Sequence, residues 1–200
     1  MQLLTAPPSP FARKVRVCVI EAGLADDVEE VNVAASALAP DPAITSHNPL
    51  GKIPALIRED GPALYDSRVI CRWLDARAGA GLYPDARLWE TLTLEATADG
   101  IMDAAVLIVY EHRFRPEPHR SEDWIEGQWG KIARALDTLE ARWMSHLAGR
   151  LDMGQIALGC ALGYLDFRHP DRPWRAGRGA LDDWYAVFGE RAAMRATRPA

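Results

Sequence analysis

Asn48-Pro49-Leu50-Gly51-Lys52-Ile53-Pro54, leading into Ala55-Leu56-Ile57-Arg58 and followed by Tyr65-Asp66-Ser67, is the stretch on which the fold turns. Pro49 pre-sets φ for a turn, and Gly51 can take the positive φ that other residues resist. Pro54 opens the apolar run, a position where its missing N–H costs no ladder bond. A cis Ile53–Pro54 bond would reverse the chain there and leave the Ile53 backbone outward and unpaired. Asp66 and Ser67 precede a helical pattern, where a carboxylate and a hydroxyl meet free helical N–H groups. One fixture on a strand edge and one at a helix start would clamp a small peptide-like ligand.

On the N-terminal side, Gln2–Thr5 reads as a strand ended by Ala6-Pro7-Pro8. Ser9 at the N-cap and Pro10 at N1 open a helix running to about Ala22, with Gly23 as its stop. Phe11, Val15, Cys18, Val19 and Ala22 form its buried stripe, and Arg13, Lys14 and Arg16 fall outside it as a solvated face. Val28–Val33 reads as a second strand, and residues 34–47 as a loop with at most one helical turn. Ala55–Arg58 is a third strand; Asp60-Gly61 turns the chain into a fourth, Ala63–Tyr65. Asp66 then caps a helix through Ala78 with Val69, Ile70, Trp73 and Leu74 inward. The first crossover should be right-handed, making the first two strands parallel.

Beyond residue 78 the pattern changes. Gly79-Ala80-Gly81-Leu82-Tyr83-Pro84 reads as a flexible linker over residues 79–86. After it only helical periods remain: Arg87 to about Phe114, then a helix opened by Ser121 with a stripe of Ile125, Trp129, Ile132, Leu136, Leu139 and Trp143. Asp152 and Gln155 stand where a capping box needs them, ahead of a segment apolar nearly all round and therefore central. A last helix is expected from Leu181 to about Ala193. The division is an α/β unit at 1–78 followed by an all-α helical-bundle unit at 87–200.

The composition, 48% hydrophobic and 26% charged, fits a soluble globular chain. A net charge of −5 argues against a nucleic-acid partner, whose protein is usually basic. No apolar run is long enough to lead one to expect a membrane span, and Met1 running directly into Leu3-Leu4-Thr5, without a basic stretch and a long apolar one, gives no expectation of a signal peptide. Cys18, Cys71 and Cys160, an odd number and well separated, point to a reduced compartment, the cytoplasm, and read as core fillers. His47, His112, His119, His146 and His169 have no ligand spacing, so no metal is expected.

Ser9-Pro10-Phe11-Ala12-Arg13-Lys14-Val15-Arg16, Asn48 to Pro54 and Tyr65-Asp66-Ser67, in that order, resemble the cytosolic glutathione S-transferase family, particularly its bacterial members. The resemblance implies a thioredoxin-like domain followed by an all-helical domain, a two-fold homodimer, and glutathione as co-substrate for attack on a small hydrophobic electrophile in detoxification. It implies that the Ser9 hydroxyl donates to the glutathione sulfur and holds it as thiolate, a plain N-cap being the alternative. Thr5 is a weaker candidate for that role. By the same resemblance the backbone of Ile53, ahead of a cis Pro54, takes the cysteinyl part. Asp66 and Ser67 take the γ-glutamyl end, and Lys52 the glycine carboxylate. Pro8, Tyr110, Phe114 and Trp174 would line the electrophile pocket. Where the family usually has Ser or Thr at the cap and Asp at N3, this chain has Asp152 and Gln155. A reductase, lyase or dehalogenase on the same scaffold, or a module that binds without turnover, are the other readings.

Overall fold

A computed structural model describes residues 1–199. The chain forms two compact units, one of Met1–Leu88 joined by the segment from Ala192 onward, the other of Trp89–Arg191.

In the first unit β1 (Gln2–Thr5) leads to α1 (Pro10–Glu21), β2 (Glu29–Asn32), a short exposed α2 (Pro42–Thr45), β3 (Ala55–Ile57) and α3 (Ser67–Ala78). The sheet order is β2-β1-β3, with β1 parallel to β2 (Leu4 opposite Val31) and antiparallel to β3 (Leu4 opposite Ala55). The expected fourth strand is absent as a strand. Only Leu64 pairs, exchanging two 2.9 Å bonds with Leu56. Pro62 lacks an N–H and its carbonyl is taken by Arg58 Nε (2.9 Å), while Asp66 already begins α3, so the segment is too short for a ladder.

Helix α1 is buried more widely than its stripe suggests. Arg13 and Lys14, expected in solvent, are 4% and 0% exposed, while Phe11 and Ala22 are only half-buried. The Arg13 guanidinium donates to the Met194 carbonyl (3.0 Å) and to Thr197 Oγ1 (3.4 Å), on and just beyond α9 (Ala192–Ala196), which returns from the far end of the chain to cover α1. Helix α3 buries Ser67, Ile70, Cys71, Leu74 and Asp75; Val69, expected inward, is 48% exposed. The segment expected to be a flexible linker is held down instead. Gly79 ends α3 at φ 62°, and the Asp75 carboxylate accepts the N–H groups of Leu82 (2.7 Å) and Tyr83 (3.3 Å), both side chains being buried.

The second unit is helical. Helix α4 (Leu88–Phe114) is followed by α5 (Glu122–Arg142), capped by Ser121, the four-residue α6 (Met144–Leu147), α7 (Met153–Arg168) and α8 (Gly179–Phe188). On α5 the stripe holds at Ile125, Ile132, Leu136 and Leu139, with Gln128 buried beside them and Trp129 and Trp143 half-buried. Residues Met153 through Leu165 of α7 are all buried. Gly154 lies so close to α4 that a Cβ there would stand 2.8 Å from Leu94 Cβ. The single last helix of the sequence reading is broken at Gly189, giving α8 and, in the first unit, α9. Among the described residues no helix is long and apolar enough to cross a membrane.

His169, just past α7, is buried, with Nε2 3.1 Å from the Ala105 carbonyl; since a carbonyl only accepts, that nitrogen carries the proton in the neutral ring. Burial pushes its pKa below the usual value, the Ala105 bond opposes this, and the charges of Arg172, His112 and Arg168 add to the fall. The unfolded chain therefore takes up this proton more readily than the folded one. The stability His169 contributes as a neutral ring is complete above about pH 6.5 and is lost as pH falls below it, at no more than about 1.4 kcal/mol per pH unit. Urea unfolding between pH 7.5 and 5.5 should show that loss, and His169→Asn should flatten it.

Candidate functional site

Strand register brings the three sequence motifs to one end of the first unit's sheet. Leu4 stands opposite Ala55, so the chain leaving β1 toward Ser9 passes beside Pro54 and Ile53. Leu56 stands opposite Leu64, so the chain entering at Pro54 also runs beside Asp66. The start of α1, the Ile53–Pro54 step and the start of α3 converge there.

Ser9 is the N-cap of α1, half-buried, in extended backbone (φ −80°, ψ 120°) and followed by Pro10. Its Oγ accepts the Ala12 N–H at 3.2 Å, and among the described residues its own proton has no acceptor. The hydroxyl thus has one donor to spare at the positive end of a 12-residue helix. Thr5 sits at the end of β1, 1% exposed, with Oγ1 buried and unpartnered among the described residues. Pro8 is half-buried in the turn before Ser9.

The Ile53–Pro54 peptide is cis, as is Tyr65–Asp66. Ile53 is half-buried, and its backbone makes no hydrogen bond to another described residue. The turn before it is closed by Asn48, 2% exposed, a residue that reads in the sequence only as part of a turn. Its Nδ2 donates to the Lys52 carbonyl (2.8 Å), its Oδ1 accepts the Leu50 N–H (3.0 Å) and its carbonyl accepts the Gly51 N–H (2.9 Å). Gly51 has φ 63° and lies against Pro40, where a Cβ would come within 2.8 Å of the proline Cβ; only glycine meets both demands. Lys52 is exposed, and its ammonium makes no ion pair among the described residues.

At the other fixture Asp66 caps α3, Oδ1 accepting the Arg68 N–H (3.0 Å) and Oδ2 facing the Arg68 guanidinium (3.3 Å). Ser67 is the first helical residue, 2% exposed, and its hydroxyl has no partner among the described residues. A hydroxyl, free N–H groups and a helix N-terminus favour an anionic group at this position.

The remaining predicted pocket residues lie in the helical unit. Tyr110 (38% exposed) and Phe114 are one turn apart on α4, their ring centroids 5.1 Å apart. Trp174 differs from the expectation. It is 2% exposed, its indole N–H donates to Asp166 (2.8 Å) and its ring meets Tyr185 edge-on, which makes it core rather than an open wall. Arg175, with its pKa raised by its hydrogen bonds to Asp166 and Asp182, locks the same carboxylate. Among the described residues no group of three or more His, Cys, Asp or Glu is placed to hold a metal.

The models for the glutathione S-transferase N-terminal and C-terminal domains match residues 8–77 and 122–186. The uncharacterized GST-like protein YibF of Escherichia coli K12 is 34% identical over 187 residues, 90% of each chain. A crystal structure of a glutathione transferase family member from Pseudomonas fluorescens Pf-5 with bound glutathione is 46% identical, with a TM-score of 0.97 over 100% of this chain and 98% of that one. A second structure of a family member from that organism, with bound S-(propanoic acid)-glutathione, is 44% identical, with a TM-score of 0.92 over 100% of both chains.

Proposed function

Since the chain belongs to the glutathione S-transferase family, we propose that it binds glutathione along Lys52, Ile53, Asp66 and Ser67 and conjugates the glutathione thiolate to a small hydrophobic electrophile, with Ser9 as the catalytic residue. The observation that carries this reading is the spare Ser9 proton at the tip of α1. A thiol of pKa about 8.5 is mostly protonated at pH 7, and a donor plus a helix N-terminus favour its anion. The thiolate then forms a bond to carbon. The leaving group departs with the bonding pair, or the pair of an activated double bond takes up a proton. Ser9 keeps its own proton throughout.

The relatives support the ligand: one holds glutathione, and another holds a glutathione whose sulfur carries a propanoic acid group. Tyr110 and Phe114, in ring contact one turn apart on α4, are the walls we assign to the electrophile. Exchange through an enzyme-bound mixed disulfide is disfavoured: position 9 is serine, and Cys18, Cys71 and Cys160 are all buried. The buried free thiols fit a cytoplasmic setting. A two-fold homodimer belongs to the same proposal; Trp89, 76% exposed, is a large apolar surface such contact would cover.

The test is retention on a glutathione matrix together with conjugation of a generic aryl halide, with light scattering giving the mass in solution. Retention, turnover and twice the chain mass are expected. Retention without turnover would make it a binding module; no retention would overturn the proposal.

A further inference from the structure

We infer that Asn48 is a positioning residue for glutathione, holding the Lys52–Ile53 peptide plane at the angle that presents the Ile53 N–H to the ligand. The inference rests on the reading above that Ile53 receives the tripeptide. A trans peptide places its C=O and N–H on opposite sides of one rigid plane. The Lys52–Ile53 peptide is not among the cis bonds, and the carbonyl side of its plane is fixed by Asn48 Nδ2 at 2.8 Å. The Ile53 N–H must therefore face the other way, and there it has no partner among the described residues.

The carboxamide is itself immobilised. Asn48 as a whole is 2% exposed, and the carboxamide oxygen accepts the Leu50 N–H while the backbone carbonyl of Asn48 accepts that of Gly51. One side chain thus closes the loop through a donor and an acceptor at once, which an ionised aspartate, leucine and serine cannot do in the same geometry. The lysine that would meet the glycine carboxylate projects from the same residue whose carbonyl is clamped, so both contacts depend on it.

Asn48→Asp separates the two bonds. The carboxylate still accepts from Leu50 but cannot donate to the Lys52 carbonyl. KM for glutathione should rise about tenfold, the equivalent of one lost bond and a mis-set plane, while kcat at saturating glutathione stays within about twofold. A buried carboxyl beside a carbonyl has its pKa pushed up, and once protonated it can donate again. The ratio of variant to wild-type KM should therefore shrink as pH is lowered from 8 to 5.5. Asn48→Ala, which cannot regain a donor, should show a raised KM ratio that does not shrink. Thermal midpoints and glutathione titration by calorimetry accompany each variant, and if Asn48→Asp does not fold, Asn48→Ala is read for the KM-against-kcat split alone. Wild-type protein that binds no glutathione would overturn both this inference and the reading beneath it. Wild type that binds, with variants of unchanged KM or with kcat and thermal midpoint falling together at unchanged KM, would overturn the role of Asn48 alone.

Discussion

Ser9→Ala is expected to lower kcat/KM for glutathione conjugation at pH 6.5 by about tenfold to a hundredfold, with glutathione affinity changed by no more than about threefold. A hydrogen bond to a charged acceptor contributes about 1.5–3 kcal/mol, or one to two pKa units of thiol. Below both pKa values the rate follows the thiolate fraction, so the loss is that same factor. Above about pH 8.5 free glutathione ionises unaided and the deficit should close. A spectrophotometric rate profile from pH 6 to 9.5 reads this convergence directly, and it separates loss of thiolate from loss of substrate binding.

The same substitution removes the cap that accepts the Ala12 N–H, worth about 1 kcal/mol of stability. Ser9→Asp isolates that effect. It caps as well as serine does, so the thermal midpoint should hold. Its charge opposes a thiolate, so activity should fall at least as far as in Ser9→Ala. Thr5→Val, which deletes a buried hydroxyl with no partner among the described residues, should leave the rate unchanged. A collapse in Thr5→Val alongside a near-normal Ser9→Ala would move the thiolate donor to Thr5.

The parts of this structure legible in the sequence are those set by local chemistry. Ser9-Pro10, Asp66 and Asp152 announce helix starts because capping is decided within four residues, and each is a side-chain N-cap in the structure. Gly51 signals a positive φ for the same reason. The errors arise where a partner lies far along the chain. Arg13 reads as solvated because its acceptors on Met194 and Thr197 cannot be seen from α1. Residues 79–84 read as flexible because nothing local says that Asp75 ties down Leu82 and Tyr83. Trp174 reads as a pocket aromatic until Asp166 is found on its indole. The site follows the same division. Its residue types were recognisable from the motifs, but their convergence depends on strand pairing between Leu4 and Ala55 and between Leu56 and Leu64. Asn48 reads in the sequence as a turn residue; the bond to Lys52 that gives it importance is a property of the folded loop.

Asp152→Ala should be the most destabilising single change in the helical unit outside its apolar core, by about 3 kcal/mol or more. The carboxylate is 0% exposed and serves three donors. Oδ1 accepts the Gln155 N–H at 3.1 Å, and Oδ2 accepts from Thr91 Oγ1 at 3.2 Å and lies 2.7 Å from His146 Nε2. Gln155 closes the box through its Oε1 on the Asp152 N–H, while its Nε2 reaches the carbonyls of His146 and Leu147. An ordinary cap accounts for about 1 kcal/mol. The remainder comes from stranding the buried Thr91 hydroxyl, at about 1–3 kcal/mol, and the half-buried His146 ring, at the lower end of that range. For a chain of this size the midpoint should fall by roughly 6–12 °C. The double replacement Asp152→Ser with Gln155→Asp tests the division. It restores a reciprocal box of the arrangement usual in the family but supplies no acceptor to His146 or Thr91, so it should recover only the capping part. Full recovery would mean that α7 needs its cap and nothing else. Recovery of about a third would mean that this chain placed its acid at the cap because α4, α6 and α7 are joined through it.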